Sequence, residues 1–231
     1  MRSPKSIIGL AAKMRPVVVG AAFVATTLLA SVQSANATFV LGTGNIGGLG
    51  DNVLINSCVG NIIGPATLIQ GCLNSNTSTL VDVSSSHLLV GNGGQARFEG
   101  SGGNIDNFTI AFHDPTLGFS GIVFNINAAN HTTATVSFTV DAVDQFGHVE
   151  APQLFTNTIS GNGQNFFNLT TADGEIATSV SVSSSLTNIT DIRQVRIASA
   201  EIPTRVPEPA TLFLLGSVLL GYGAFRRRQQ S

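Results

Sequence analysis

The chain has 231 residues and a formal net charge of −2, with 10% of its positions charged and 43% hydrophobic. That balance excludes a charged, disordered polymer and supports a folded core. Two cysteines exclude a disulfide-dense scaffold.

The chain opens with Arg2, Lys5, Lys13 and Arg15, followed by an apolar run from Val17 to Ala30. Ala35-Asn36-Ala37 then fits a small-x-small cleavage pattern. Residues 1–37 therefore read as a signal peptide with an apolar helix, cut by signal peptidase between Ala37 and Thr38. No twin arginine is present, which favours a Sec-type route. An uncleaved N-terminal anchor is the alternative.

Residues 38–205 form the folded part, long enough for one domain with a buried core. Its basic residues are Arg97, Arg193, Arg196 and Arg205, set against twelve acids, so its net charge is −8. It has no lysine. This excludes a basic nucleic-acid-binding surface, and the acidity reads most simply as solubility outside the cell. Cys58 and Cys72 predict one disulfide in an exported chain. A metal pair or a reactive thiol is the sharper alternative, but no histidine lies near them in sequence.

Glycine, serine, threonine and asparagine alternate with apolar residues through this part, the pattern of strands and turns. Phe39 to Leu41 predicts an edge strand, followed by a glycine-rich loop. Val53 to Ile55 predicts a short strand. Ile62 to Ile69 is ambiguous, because Gly64-Pro65 interrupts it. Thr79 to Ser84 and His87 to Val90 read as two short runs. Asn92-Gly93-Gly94 is a hairpin signal leading into Gln95 to Glu99. Phe108, Ile110 and Phe112 share one face. Ile122, Phe124 and Ile126 repeat that pattern, with Asn125 and Asn127 facing out. The longest alternation sets Ala134, Val136, Phe138, Val140 and Ala142 against Thr133, Thr135, Ser137, Thr139 and Asp141. After the Asp144 to Gly147 turn, Leu154 to Ile159 predicts a strand. A Gly161-Asn162-Gly163 turn leads to its expected partner, Gln164 to Leu169. Ile176 to Val182 alternates again, and Ile189, Ile192, Val195 and Ile197 close the domain. About ten strands with one buried face each imply an all-β, antiparallel β-sandwich with jelly-roll-like connectivity.

The chemistry-bearing residues are sparse. His113-Asp114 could pair a base with an orienting acid, but Asp-Pro reads better as a strand-ending turn. No Gly-x-Ser-x-Gly motif is present. No catalytic residues are assigned. Asp141, Asp144 and Asp173 are candidate oxygen ligands for a structural calcium ion, and no other cofactor or metal is expected. The domain lacks Trp and Tyr, which usually stack on sugar rings. Phe166-Phe167 stands out, because adjacent strand residues face opposite ways, so one ring is open to solvent as a contact patch unless, as is commoner, the second sheet or a loop covers it.

The end of the chain reads as an address. Pro207-Glu208-Pro209 is rigid and extended. Thr211 to Phe225 carries no charge and spans roughly 22 Å as a helix, short for a bilayer core of about 30 Å. Arg226, Arg227 and Arg228 then mark the cytoplasmic side. An ordinary anchor helix is the simpler alternative.

These three parts, in this order over Val206 to Arg228, resemble the PEP-CTERM sorting signal of Gram-negative bacteria. The resemblance implies recognition of the Pro-Glu-Pro motif by an exosortase and processing of the 206–231 tail. Gly163 to Phe167, Gly174 to Ile176 and Ile192 to Ile197 also look, more loosely, like closing strands of β-sandwich domains common in such proteins. The resemblance implies an exported protein, anchored transiently in the inner membrane by a short transmembrane helix and then carried to the cell surface or the extracellular space. It implies an exopolysaccharide or biofilm setting. The expected role is a non-enzymatic surface or matrix protein. The alternative is a carbohydrate-binding module for exopolysaccharide, and a polysaccharide hydrolase is a third reading.

Overall fold

The computed structural model describes residues 39–92, 96–171, 174–204 and 216–218. Twelve strands lie among them: β1 (Phe39–Thr43), β2 (Asp51–Leu54), β3 (Ala66–Leu73), β4 (Leu80–Gly91), β5 (Arg97–Gly100), β6 (Asn107–Phe112), β7 (Leu117–Ala128), β8 (Thr133–Val143), β9 (Gln153–Ser160), β10 (Asn165–Thr171), β11 (Ile176–Ser184) and β12 (Ile189–Glu201). Every pairing is antiparallel, as period-two alternation with one wet face requires.

The ladders run in the order β1-β10-β7-β12-β2-β3-β4-β6-β11-β8-β9, and β5 bridges β12 and β4. A pairing of β7 with β11 at Phe119 and Ala177 closes the path on itself. The closed ring holds β7, β12, β2, β3, β4, β6 and β11. The all-β, antiparallel expectation holds. The two separate sheets of a jelly-roll-like sandwich are replaced by one continuous sheet that closes into a seven-strand barrel. The physical reason lies in β7 and β12. Both are long and irregular, and their bulges let them turn from one set of partners to another. The flanking helices fall on residues 1–37 and 206–231, outside the described residues except for 216–218, which are helical. Among the described residues, no helix is long and apolar enough to cross a membrane.

The core follows from the alternation. Phe98, Phe108, Phe124, Phe138 and Phe167 sit at inward positions of five different strands and are all at least 98% buried. Their rings meet in series, with centroids 5.5 Å apart for Phe98–Phe108, 5.9 Å for Phe108–Phe124, 6.2 Å for Phe124–Phe138 and 4.8 Å for Phe138–Phe167. Edge-on and tilted pairs of this kind add to what area burial alone contributes.

Several local expectations change. Thr79 to Ser84 and His87 to Val90 are one strand, β4, whose two halves pair with different neighbours. The Ile62 to Ile69 ambiguity resolves at Ala66, where β3 begins after the Gly64-Pro65 break. The hairpin expected between Leu154–Ile159 and Gln164–Leu169 does not form. β9 pairs with β8, whereas β10 pairs with β1 and β7. The Gly161 turn therefore carries the chain across, not back. A Cβ on Gly161 would run into the Ala129 carbonyl, so the crossing needs a bare backbone. In β11 a bulge at Thr178 breaks the Ile176–Thr178 phase. In β12 the spacing Ile189, Ile192, Val195, Ile197 is not period two. Register shifts separate Ile189 from Asp191 and Arg193 from Arg196, and Gln194 takes a φ of 55°.

Candidate functional site

β1 and β9 are the two ends of the strand path, and they lie beside one another. The Phe39 N–H donates to Gln153 Oε1 at 3.1 Å and ties their first residues together. Further along, an open cleft of about 200 Å³ is lined by Thr43, Asn157, Thr158, Gln164, Asn165 and Phe166, among others. Phe167 points into the core and Phe166 is half-buried at the cleft. The adjacent pair thus splits as strand geometry dictates. Asn165 is committed to structure. Its Nδ2 donates to the Ile126 and Ser160 carbonyls, each at 2.9 Å, and its Oδ1 accepts the Ser160 N–H. The lining has no charged side chain, so the cleft suits an uncharged, hydroxylated or amide ligand.

The ionisable groups form separate pairs. His113 Nδ1 lies 3.1 Å from Asp82 Oδ2 and 3.3 Å from Gln70 Nε2. Asp114, the orienting acid weighed for His113 and set aside in favour of a strand-ending turn, does not pair with it. That carboxylate instead accepts the N–H and hydroxyl of Thr116 at 2.9 and 2.7 Å, which holds its pKa below the usual range. His87 Nε2 meets Asp106 Oδ1 at 3.0 Å. Burial works to raise the Asp106 carboxyl, but hydrogen bonds from His87 and Asn107 outweigh it and lower the pKa. Asp144 behaves alike. Burial opposes its charge, and the His148 N–H, the His148 ring and the Phe146 N–H overcome that.

A fourth cluster lies on β5, β7 and β12. Asp191 is 4% exposed and accepts from Arg193 Nε at 2.6 Å, Asn127 Nδ2 at 2.7 Å and Arg97 Nη2 at 3.3 Å. The hydrogen bond between Arg193 and Asp191, aided by the Asp191 and Glu99 charges, raises the Arg193 pKa against the opposing effect of burial. Here Asn125 departs from expectation. It is 2% exposed, its Oδ1 accepts the Asn165 N–H at 2.9 Å, and it lies in register between Phe166 and Arg193. A central strand flanked by two large side chains has no wet face at that point. The Asp191 cluster went unread in the sequence, although Asp191-x-Arg193 is the same-face spacing of a strand.

The two described calcium candidates each have other partners. Asp141 accepts the Ser179 hydroxyl at 2.7 Å, Asp144 caps its own turn, and Asp173 lies outside the described residues. Among the described residues no three His, Cys, Asp or Glu side chains gather as a metal site. Cys58 and Cys72 form a disulfide, with Cα atoms 5.5 Å apart, which ties the loop after β2 to β3. Ala35, Ala37, Pro207, Glu208, Pro209 and Arg226 to Arg228 lie outside the described residues.

Just past the end of β12, the Ile202 N–H donates to the Thr116 carbonyl at 2.8 Å. Three residues on, residues 205–228 match the PEP-CTERM protein-sorting motif. The chain carries a PEP-CTERM sorting motif over these residues. The motif implies exosortase as a processing partner, export, and transient membrane anchoring through the C-terminal region. No curated protein matches this chain in sequence. Two solved structures show slight likeness to it. One is the enzymatically active domain of bacteriophage CBA120 tailspike protein 4, with 18% identity and a TM-score of 0.25, covering 72% of this chain. The chain spans 20% of that tailspike chain. The other is CBM29-2, a family 29 carbohydrate-binding module, with 12% identity and a TM-score of 0.21. It covers 75% of this chain and 99% of the module. Likeness this slight decides neither fold nor function.

Proposed function

We propose that this PEP-CTERM protein is a non-enzymatic component of the cell surface or the extracellular matrix, and that its β domain is the cargo delivered by the tail. The observation that carries the reading is the join itself. The last strand ends at Glu201, and the sorting motif begins at residue 205. Almost nothing separates a finished all-β domain from its address. The disulfide fits an oxidising destination outside the cytoplasm, and the lysine-free, acidic domain fits solubility there. Removal of residues 206–231 tests the reading. The truncated protein is expected to lose its membrane-bound precursor and its surface fraction. An unchanged distribution would refute it.

The second reading is a carbohydrate-binding module, favoured by the uncharged cleft beside Phe166. Glycan-array binding that disappears in Phe166→Ala supports it. A polysaccharide hydrolase is the third reading. It requires turnover of the host's own polymer that is lost on a single Asp→Asn change at Asp82, Asp106 or Asp144.

A further inference from the structure

The outward positions of β4, β6, β11, β8 and β9 form one continuous surface rich in hydroxyl side chains, with Asn107 and Leu154 set among them and Asp82, Ala111 and Asp141 along one side. The register draws it in rows. Ser84 lies beside Thr109, Thr109 beside Ser181, and Ser181 beside Thr139. The next row sets Ser183 beside Ser137 and Ser137 beside Thr156. A third sets Thr135 beside Thr158. The Thr109 and Ser181 hydroxyls are 2.8 Å apart, which confirms that neighbouring strands present them to the same side. The opposite face of these strands is the buried core, with Val83, Ile110, Val182 and Phe138 at most 1% exposed.

Sheet geometry makes this a grid, with neighbours about 4.8 Å apart across strands and about 6.8 Å apart along them. Each hydroxyl donates one hydrogen bond and accepts others by simple rotation. The threonines are β-branched, so their orientation is already restricted before a ligand arrives. The grid turns a corner at β9. Thr158 belongs to its last row and also lines the cleft that holds Phe166. A rotatable hydroxyl array and a half-buried aromatic ring therefore adjoin through one residue.

Charge selects the occupant. The domain's arginines are Arg97, Arg193, Arg196 and Arg205, and none lies on these five strands. The titratable groups beside the grid are the acids Asp82, Asp106 and Asp141, with His113 paired to Asp82 and His87 to Asp106. A polyanion, whether acidic glycan, nucleic acid or anionic lipid, finds no counter-charge there and meets a domain of net charge −8. An apolar protein surface finds few apolar contacts, with Leu154 at the rim the main exception. We infer that this face binds a neutral polysaccharide laid flat across the strands, with the Phe166 cleft receiving a sugar ring at the edge. The inference rests on the matrix reading above and names the chemistry of the matrix partner.

The test is co-sedimentation of the exported protein with insoluble cellulose, chitin and β-1,3-glucan, with an alginate gel and anionic lipid vesicles alongside. The protein is expected to sediment with at least one neutral polymer and not with the two anionic probes. The pair Thr135→Lys/Thr158→Lys should lower the bound fraction at least tenfold, whereas Val40→Lys, at an exposed position of β1 away from the grid, should leave it unchanged. The pair Thr135→Val/Thr158→Val keeps shape and strand propensity, so its loss of binding with an unaltered melting curve assigns the effect to the hydroxyls. Failure to bind any of the neutral polymers, preference for the anionic probes, or full binding by the valine pair would overturn the inference. A protein that binds but keeps its C-terminal tail would instead contradict the sorting and release reading, so the two failures are distinguishable.

Discussion

Phe138→Ala is the most informative single perturbation of the fold. Phe138 is 1% exposed and its ring touches Phe167 and Phe124, with centroids 4.8 and 6.2 Å away. Truncation removes the buried ring and leaves a hole between β8, β7 and β10. The backbone around it is paired on both sides, so collapse into the hole is restricted. Phe→Ala changes in such settings cost about 3–5 kcal/mol, and two ring contacts place this one near the upper half, at about 4 kcal/mol. For a domain of this size, about 2–4 °C of melting temperature is lost per kcal/mol, so the midpoint should fall by about 8–16 °C. Urea unfolding of the exported protein should show the same loss with an unchanged slope. Phe146→Ala is the control. That ring is 54% exposed in a turn, and its removal should cost no more than about 0.5 kcal/mol. A cost below about 1 kcal/mol at Phe138, or equal costs at both positions, would refute the packing described for the phenylalanine series.

Two further predictions concern stability. Changing both Cys58 and Cys72 to Ala opens a loop of about 15 residues and should cost about 3 kcal/mol by the chain-entropy model, read from the urea midpoint. Free thiols in the exported protein would contradict the link. The Asp106 and Asp144 carboxyls have pKa values lowered by folding. Their contribution is therefore present above the unfolded carboxylate value of about 3.9 and is lost as pH falls through the lower folded values. Wild-type stability should decline between about pH 5 and pH 2, and Asp144→Asn should flatten that decline. An identical acid limb in the variant would contradict the role given to its turn.

The legible parts of the fold are those where one rule acts alone. The alternation at Ala134 to Ala142 and at Phe108 to Phe112 gives the buried face directly, and the structure reproduces it residue for residue. Local rules miss what depends on partners distant in sequence. Asn125 looks outward by period, yet neighbours on β10 and β12 cover it. The turn at Gly161 looks like a hairpin, yet β9 is already committed to β8. The ring closure rests on a single bridge, Phe119 to Ala177, which no pattern in either strand announces. The serine and threonine grid is intermediate. Each strand shows its polar phase in sequence, but only the registers place five such phases side by side. The address was the easier reading, because a sorting tail is recognised as a linear string and needs no tertiary context.

The central claim is that a β domain is delivered outside the cell by two end segments that are then processed. Mass spectrometry of the terminal peptides of the protein recovered outside the cell tests it directly. The account predicts a start at Thr38 and an end near Pro207 to Pro209. An intact C-terminus carrying Arg226 to Arg228 would contradict it and would make the tail a lasting membrane anchor.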